Sequence, residues 1–430
     1  MPRDRSDRFE NENTLLLAAC RVGTGTPTLV LSSPLDWAYV LRAADRQGVT
    51  PLLHDWLMRH REVAVDPASA QRVRDAYWAS HFQNTLLLAE LARVSHAAAQ
   101  AGIDLMPLKG ATLASDYYPN PALRPLSDLD LLIRPGDVDG LGRVLQALNY
   151  QEVAPPPSYV DDRWLDSDSR DHCWFASREG FNALIEYRTT PLELAVGRLT
   201  DLDPACTASL RQHAAEVWAR ARPARDRTAL GACMAPEDLL LHVTTHLAAK
   251  HLDFRLIWLH DVARIVMGAR ELDWAYVSRT TARLRIAAPV SAALQAAVRW
   301  VGAPIPPENL ERVWGEMRTR SVMDLERRDH ERLCAHVASL GGRDLTAEGP
   351  AVWPLVAALS RVKGWRPRLR VLRWVALPGR AYLAHRGAAP TPGPLGYLEA
   401  WARRGAGRLA RRPATASGTA PGQSPARKSR

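Results

Sequence analysis

Cysteine is scarce in this chain. Cys20, Cys173, Cys206, Cys233 and Cys334 are scattered over 430 residues, odd in number, with no Cys-x-x-Cys pair. A disulfide framework and a zinc ribbon are therefore excluded as organising devices. Long apolar runs are missing as well. The longest soft stretch, Ile286 to Val298, is too short and too alanine-rich to span a bilayer. Met1 to Asn13 mixes acids with bases and lacks the basic-then-apolar order of a signal peptide. No internal repeat is visible. Together these absences point to a reducing compartment, the cytoplasm.

Acid is almost absent from one region. From Arg361 to Arg430 there are 16 Lys and Arg against the single acid Glu399. The whole chain carries a formal charge of +10, so residues 1–360 are left at −5. The basic excess is thus no sign of a nucleic-acid-binding body, and nucleic acid is not the favoured partner.

What is present is ordinary globular composition, with 47% hydrophobic and 24% charged residues. Helical spacing dominates residues 1–100, including a run from Ala68 to Gln100 free of Pro and Gly, whose apolar positions include Tyr77, Phe82, Leu87 and Leu91. Gly102 closes that run. The pattern then changes. Residues 103–109 read as a short strand, with Pro107 favouring a sheet edge. Residues 110–118 read as a short helix, 119–125 as a loop and 128–134 as a buried strand. A helix over 138–148 and strands over 172–177 and 183–188 follow. From Pro236 the spacing is helical again, with amphipathic helices expected over 238–251 and 254–266, then 274–283 and 289–301. Residues 305–350 read as polar and irregular in places. The expected fold class is α+β: a small mixed sheet flanked by N-terminal helices and a C-terminal helical bundle. The expected divisions are 1–100 (helical), 101–200 (the α+β core), 201–386 (helical) and 387–430, a low-complexity basic tail with disorder over 406–430.

The chemistry concentrates in Arg124-Pro-Leu-Ser-Asp128-Leu-Asp130. Carboxylates at i and i+2 on a strand point to one face, where both can reach a hard divalent cation. Glu186, between the apolar Ile185 and Tyr187, should face away from the core and join them if its strand lies alongside. Such an acid set serves phosphoryl transfer, which also needs donors on the phosphates. Lys109-Gly110 at a helix start, the guanidinium of Arg124 and the hydroxyl of Ser127 are the candidates. His242, His246 and Lys250 recur at i, i+4 and i+8, with His251 adjacent. His-Val-Thr-Thr-His lacks the Glu of a zinc-protease helix, so this helix is read as edging the cleft, with His246 and Lys250 contacting base or phosphate. Several Trp residues, among them Trp56, Trp78, Trp258 and Trp274, fall at core spacing and are read as packing. Arg366, Arg368, Arg370 and Arg373 are interleaved with Trp365, Leu369, Leu372 and Trp374. They are read first as a basic-faced helix packed on the bundle, with an anionic membrane surface, a polyanion or an acidic peptide as the other partner.

Leu108-Lys-Gly-Ala-Thr-Leu-Ala and Tyr118-Pro-Asn-Pro-Ala-Leu-Arg-Pro-Leu-Ser-Asp-Leu-Asp-Leu-Leu-Ile resemble the bacterial "uncharacterised nucleotidyltransferase" family of the DNA polymerase β-like superfamily. Gly48-Val-Thr-Pro-Leu-Leu-His, the 239–251 segment and Leu259-His-Asp-Val-Ala-Arg extend the likeness over about residues 37–400. The resemblance implies Asp128 and Asp130 as paired metal ligands, Glu186 as third acid, Mg²⁺ or Mn²⁺ as cofactor, and an NTP, ATP in the first instance, as substrate. It implies transfer of a nucleotidyl or phosphoryl group to a hydroxyl on a small molecule, peptide or glycan, as in natural-product or polysaccharide biosynthesis. Two departures stand out: Ala111 follows Gly110 where the superfamily has Ser, and Glu186 sits in Ile-Glu-Tyr-Arg. They motivate a second reading, a degenerate module that binds nucleotide or a partner without turnover. A third, a glycosyltransferase using Asp-x-Asp on a nucleotide sugar, requires an α/β half ahead of Asp128, where the pattern is helical.

Overall fold

A computed structural model describes residues 9–23, 34–153, 172–178, 180–194, 200–224, 231–251, 254–318, 325–339, 344–346, 354–362, 364–377, 379 and 383–384. The expected tail at 387–430 lies outside the described residues.

Helices α1 (Glu10–Cys20), α2 (Trp37–Gln47), α3 (Thr50–Arg59) and α4 (Pro67–Gln100) come first. Local chemistry sets their ends. The Asp66 carboxylate accepts from Ser69 N at 2.9 Å and Pro67 occupies the first turn, so α4 starts at a capped, preorganised position. Gly48 ends α2 at φ +72°, which a side chain would resist.

The sheet comes next: β1 (Met106–Pro107), α5 (Lys109–Asp116), β2 (Leu129–Leu132), α6 (Val138–Ala147), β3 (Gln151–Val153), β4 (His172–Arg178) and β5 (Phe181–Arg188). Among the described residues it has five strands, in the order β1-β2-β5-β4-β3. Of these only β2 and β5 pair in parallel; β1 lies antiparallel at the edge, where Pro107 is tolerated. Leu129, Leu131, Ile133, Ile185 and Tyr187 alternate onto one face and pack with Leu87, Leu91 and Val94 of α4 and Leu141 and Leu145 of α6. Period two then sends Asp130, Leu132 and Glu186 to the other face. The architecture is α+β, a small mixed sheet set among helices, as the pattern implied.

After α7 (Pro204–Ala219) and a short ribbon of β6 (Arg222–Pro223) and β7 (Ala232–Cys233) come α8 (Pro236–Thr245), α9 (Leu256–Gly268), α10 (Trp274–Leu284), α11 (Ala287–Ala296), α12 (Pro307–Arg318), α13 (Leu325–Ala338), α14 (Pro354–Arg361) and α15 (Trp365–Ala376). One apolar core joins α1–α3 to α8–α13 and takes in Met106, Leu108 and Leu132 from the sheet.

Several expectations are corrected. The segment 238–251 is not amphipathic: α8 is buried along its whole length from Glu237, and a π-helical turn, His246–Lys250, continues it. Crowding on every side replaces the solvent face. Trp78 and Phe82 are exposed rather than packed, because they lie on the face of α4 opposite its buried positions Val73, Ser80, Asn84 and Leu87. The polar stretch after residue 305 holds α12 and α13. The strands β3, β6 and β7 are too short for periodicity to reveal. No helix among the described residues is long and apolar enough to cross a membrane.

Candidate active site

The parallel register of β2 and β5 builds the site. Asp130 stands opposite Glu186 across the pair. Asp128 precedes β2 by one residue and reaches the same spot. One carboxylate oxygen from each of Asp128, Asp130 and Glu186 lies within 4.8 Å of the others, close enough for one ion to hold all of them. Burial, then the charge of Asp130, pushes Asp128 and Glu186 above the ordinary carboxyl range. Burial acts on Asp130 too, but Lys109 and Arg188 outweigh it and hold that group below the ordinary range. Even so, Asp130 Oδ1 is buried with no hydrogen-bond partner. An orphaned buried carboxylate oxygen beside two other acids fits a divalent cation as its missing partner.

Cations ring the acids. Lys109 Nζ is 2.9 Å from Asp130 Oδ2. The backbone at Lys109 is strained, at φ +30° on a residue with a Cβ. That bend ends the extended chain and starts α5 directly beside the acids. Gly110 follows it; a Cβ there would lie 2.8 Å from Leu126 Cδ2, so that side chain would have to shift. Opposite, Lys250 Nζ is 2.7 Å from Glu193 Oε1, and Arg188 pairs with the same carboxylate. These two cations, outweighing burial, hold Glu193 far below the ordinary range.

All the residues singled out from sequence, Lys109, Gly110, Arg124, Ser127, Asp128, Asp130, Glu186, His246 and Lys250, line one cavity of about 440 Å³. Two are engaged otherwise than expected. Arg124 donates through Nε to both oxygens of Asp261, at 2.8 and 3.0 Å, in a buried ion pair that Tyr118 completes with a 2.7 Å hydrogen bond. Ser127 donates its hydroxyl to Asp128 Oδ1 at 2.9 Å. His246 is driven well below its ordinary pKa by burial and then by Lys109, so it presents a neutral ring.

Sequence reasoning missed part of the wall. His251, Arg255, Ile257 and Trp258 also line the cavity, as does Gly48, where an added Cβ would meet Ile257 Cγ2 at 3.0 Å. Trp258, read as core packing, packs on the core and also faces the cavity; its ring centroid lies 5.3 Å from that of His246, and the Arg255 guanidinium lies 4.9 Å over it. The strongest omitted residue is Asn84, in the middle of α4. Its amide donates to the carbonyls of Pro121 and Arg124 at 2.7 and 2.9 Å and accepts from Leu126 N at 3.0 Å. It fixes the loop that carries Ser127 and Asp128. The available signal was a polar residue at a core-facing position, three residues before Leu87.

No curated protein and no solved structure matches the chain. One protein-family model does. That model, described as "Uncharacterised nucleotidyltransferase", covers residues 33–302, from just before α2 through the acids of β2 and β5 to the end of the turn after α11. It spans well over half the chain, and the protein therefore belongs to the uncharacterised nucleotidyltransferase family.

Proposed function

We propose that the protein transfers a nucleotidyl or phosphoryl group from an NTP, ATP in the first instance, to an acceptor hydroxyl. The observation that carries this is the convergence of Asp128, Asp130 and Glu186 beside an Asp130 oxygen that has no hydrogen bond, in a cavity that Lys109, Lys250 and Arg255 also line. Asp128 and Asp130, with Glu186, would hold Mg²⁺ or Mn²⁺. A divalent cation there supplies charge neutralisation on the phosphates and acidifies a bound hydroxyl. The chain's own groups do the rest. Lys109, Lys250 and Arg255 offer ammonium and guanidinium donors to a polyphosphate. Gly110 lets backbone N–H groups at the start of α5 approach it closely. Arg124 contributes positive potential from its fixed pairing with Asp261. Glu186, with its carboxyl pushed up by burial, is suited to accept the acceptor's proton. Ser127 fixes Asp128, and His246 lies against the nucleoside end.

The test is product formation from labelled NTP with Mg²⁺ or Mn²⁺ and candidate small-molecule, peptide and glycan acceptors, together with calorimetry of Mn²⁺. Asp130→Asn and Asp128→Asn should each lower turnover by at least about a hundredfold. Undiminished turnover in both would overturn the assignment.

One observation favours the second reading, a binding module without turnover. The Lys109 ammonium already balances Asp130, and Ala111 offers no hydroxyl. NTP binding with no product from any acceptor would support it. The glycosyltransferase reading loses ground, since the described residues ahead of β1 are helical.

A further inference from the structure

Helix α15 has two apolar sides, and only one has a partner among the described residues. Val371, Trp374 and Val375 pack on Ala358 of α14, on Val362 just after it, and on Leu202 and Cys206. On the opposite side Trp365, Leu369 and Leu372 follow i, i+4, i+7 spacing, so they form one stripe. Their side chains are exposed to 67%, 54% and 41%, and Leu377 just beyond the helix to 45%. Large apolar groups this exposed, in a row, mark an interaction surface.

The flanks of the stripe say what it meets. At 100° per residue, Arg366 and Arg373 fall along one side of it, both exposed; Arg370, further round, donates to the Leu202 carbonyl at 3.3 Å, and Arg368, on the other side, is half-buried. The helix carries no acid. The Arg366 guanidinium lies 5.3 Å from the Trp365 ring, at the start of the stripe. A basic segment for nucleic acid needs cations but gains nothing from a central row of Leu and Trp. A partner protein's apolar groove does not call for exposed guanidinium along its rim. A stripe of Trp and Leu bordered by arginines matches a lipid bilayer surface, with acyl chains for the stripe and anionic headgroups for the rim.

We propose that α15 docks this protein on an anionic membrane surface, lying in the interface with Trp365, Leu369 and Leu372 inserted and Arg366 and Arg373 on the headgroups. The proposal is independent of the chemistry assigned to the cavity, since α15 contributes nothing to the cavity wall. The docked face is the one turned away from α14, so the inner packing of α15 stays in place. Basic sequence continues past the helix, with Arg380, Arg386, Arg403 and Arg404 following. It adds attraction to the same surface without being needed for insertion.

The experiment is co-sedimentation of the full chain with vesicles of phosphatidylcholine plus phosphatidylglycerol, and of phosphatidylcholine alone. Binding to the mixed vesicles, weakened by salt, is expected, with little to the neutral ones. Leu369→Gln with Leu372→Gln should lower the affinity about tenfold or more. Arg366→Gln with Arg373→Gln should lower it about fivefold per arginine. All four positions are exposed, and matching melting curves check that the variants fold. If the Leu pair fails that check, Leu369→Gln alone takes its place. No binding to anionic vesicles overturns the proposal. So does wild-type binding by the Leu variant, which would leave the attraction to charge alone. Retention on DNA or an acidic peptide without vesicle binding would assign the surface to that partner instead.

Discussion

Asn84 offers the sharpest test of how the fold holds the acids. Its side chain is 1% exposed, and one amide satisfies the carbonyls of Pro121 and Arg124 and the N–H of Leu126. Asn84→Ala removes all of these bonds and leaves the Leu126 donor stranded in the interior. At about 1 kcal/mol net per bond, more for the stranded N–H, the loss is roughly 3–4 kcal/mol. Alanine's better helix propensity returns about 0.5 kcal/mol, so roughly 3 kcal/mol remains. Asn84→Asp has the same shape but separates the contributions. It keeps the acceptor for Leu126 and sets carboxylate oxygens against two carbonyls. At pH 7 it should be less stable than Asn84→Ala. Burial and the facing carbonyls raise the new carboxyl's folded pKa above its unfolded value. The penalty is therefore full above the folded pKa and shrinks as pH falls toward the unfolded one, where a protonated carboxyl donates once. Urea denaturation across pH reads this directly. Asn84→Ala within about 0.5 kcal/mol of wild type, or Asn84→Asp losing stability on acidification relative to wild type, would refute the reasoning.

Other perturbations obey the same logic. Asp261→Asn strips the countercharge from buried Arg124 and should cost about 3 kcal/mol in chemical denaturation, while Arg124→Met with Asp261→Leu should cost less than the sum of the two single changes; additive losses would mean that the pair is not coupled. Gly48→Ala puts a Cβ at φ +72° and 3.0 Å from Ile257 Cγ2, so a loss of about 1–2 kcal/mol is expected, and an unchanged midpoint would contradict it. Glu90 gathers Arg93, Arg178 and the Tyr150 hydroxyl, which outweigh its burial and hold its pKa below the ordinary value. Its contribution is present above the unfolded pKa of about 4.3 and fades as pH falls through the folded one. Glu90→Gln should thus be less stable than wild type at neutral pH, with the gap closing below about pH 4; a gap constant with pH would exclude an ionic role.

Much of the site was legible because two periodicities are stated locally. Alternation in Asp128-Leu-Asp-Leu-Leu-Ile assigns the acids to one face, and Ile185-Glu-Tyr assigns Glu186 the same way. Lys109-Gly110 was legible because a cation and a glycine at a strand end are a local event. The register that sets Asp130 beside Glu186 joins residues 56 apart and is decided by tertiary pairing. The pairing of Arg124 with Asp261 is longer still in sequence, and from sequence Arg124 looks as free for a phosphate as Lys109 does. Trp258 packs on the core, as its spacing implied, and also lines the cavity, which spacing could not show. Helical spacing says which face a residue occupies, not whether that face meets core or cleft. Trp78 and Phe82 show the opposite outcome: their i, i+4 spacing is helical, but they share the face of α4 turned away from its buried positions.

The cavity's two walls come from different parts of the chain, and one strand joins them. On β2, Asp130 faces the cavity while Leu132, two residues on and on the same face, is buried in the core of the helical bundle. Leu108, just before Lys109, is buried there as well. The bundle that supplies His246, Lys250, Arg255 and Trp258 therefore grips the strand that carries the acid. Lys109 lies between the two, strained in its backbone and paired with Asp130. A shift of the bundle against the sheet would alter the distance from the acids to the facing cations before it altered the acids themselves. The spacing between acid and cation walls, which decides whether a polyphosphate fits, is in this chain a property of helix packing rather than of the strands that hold the acids.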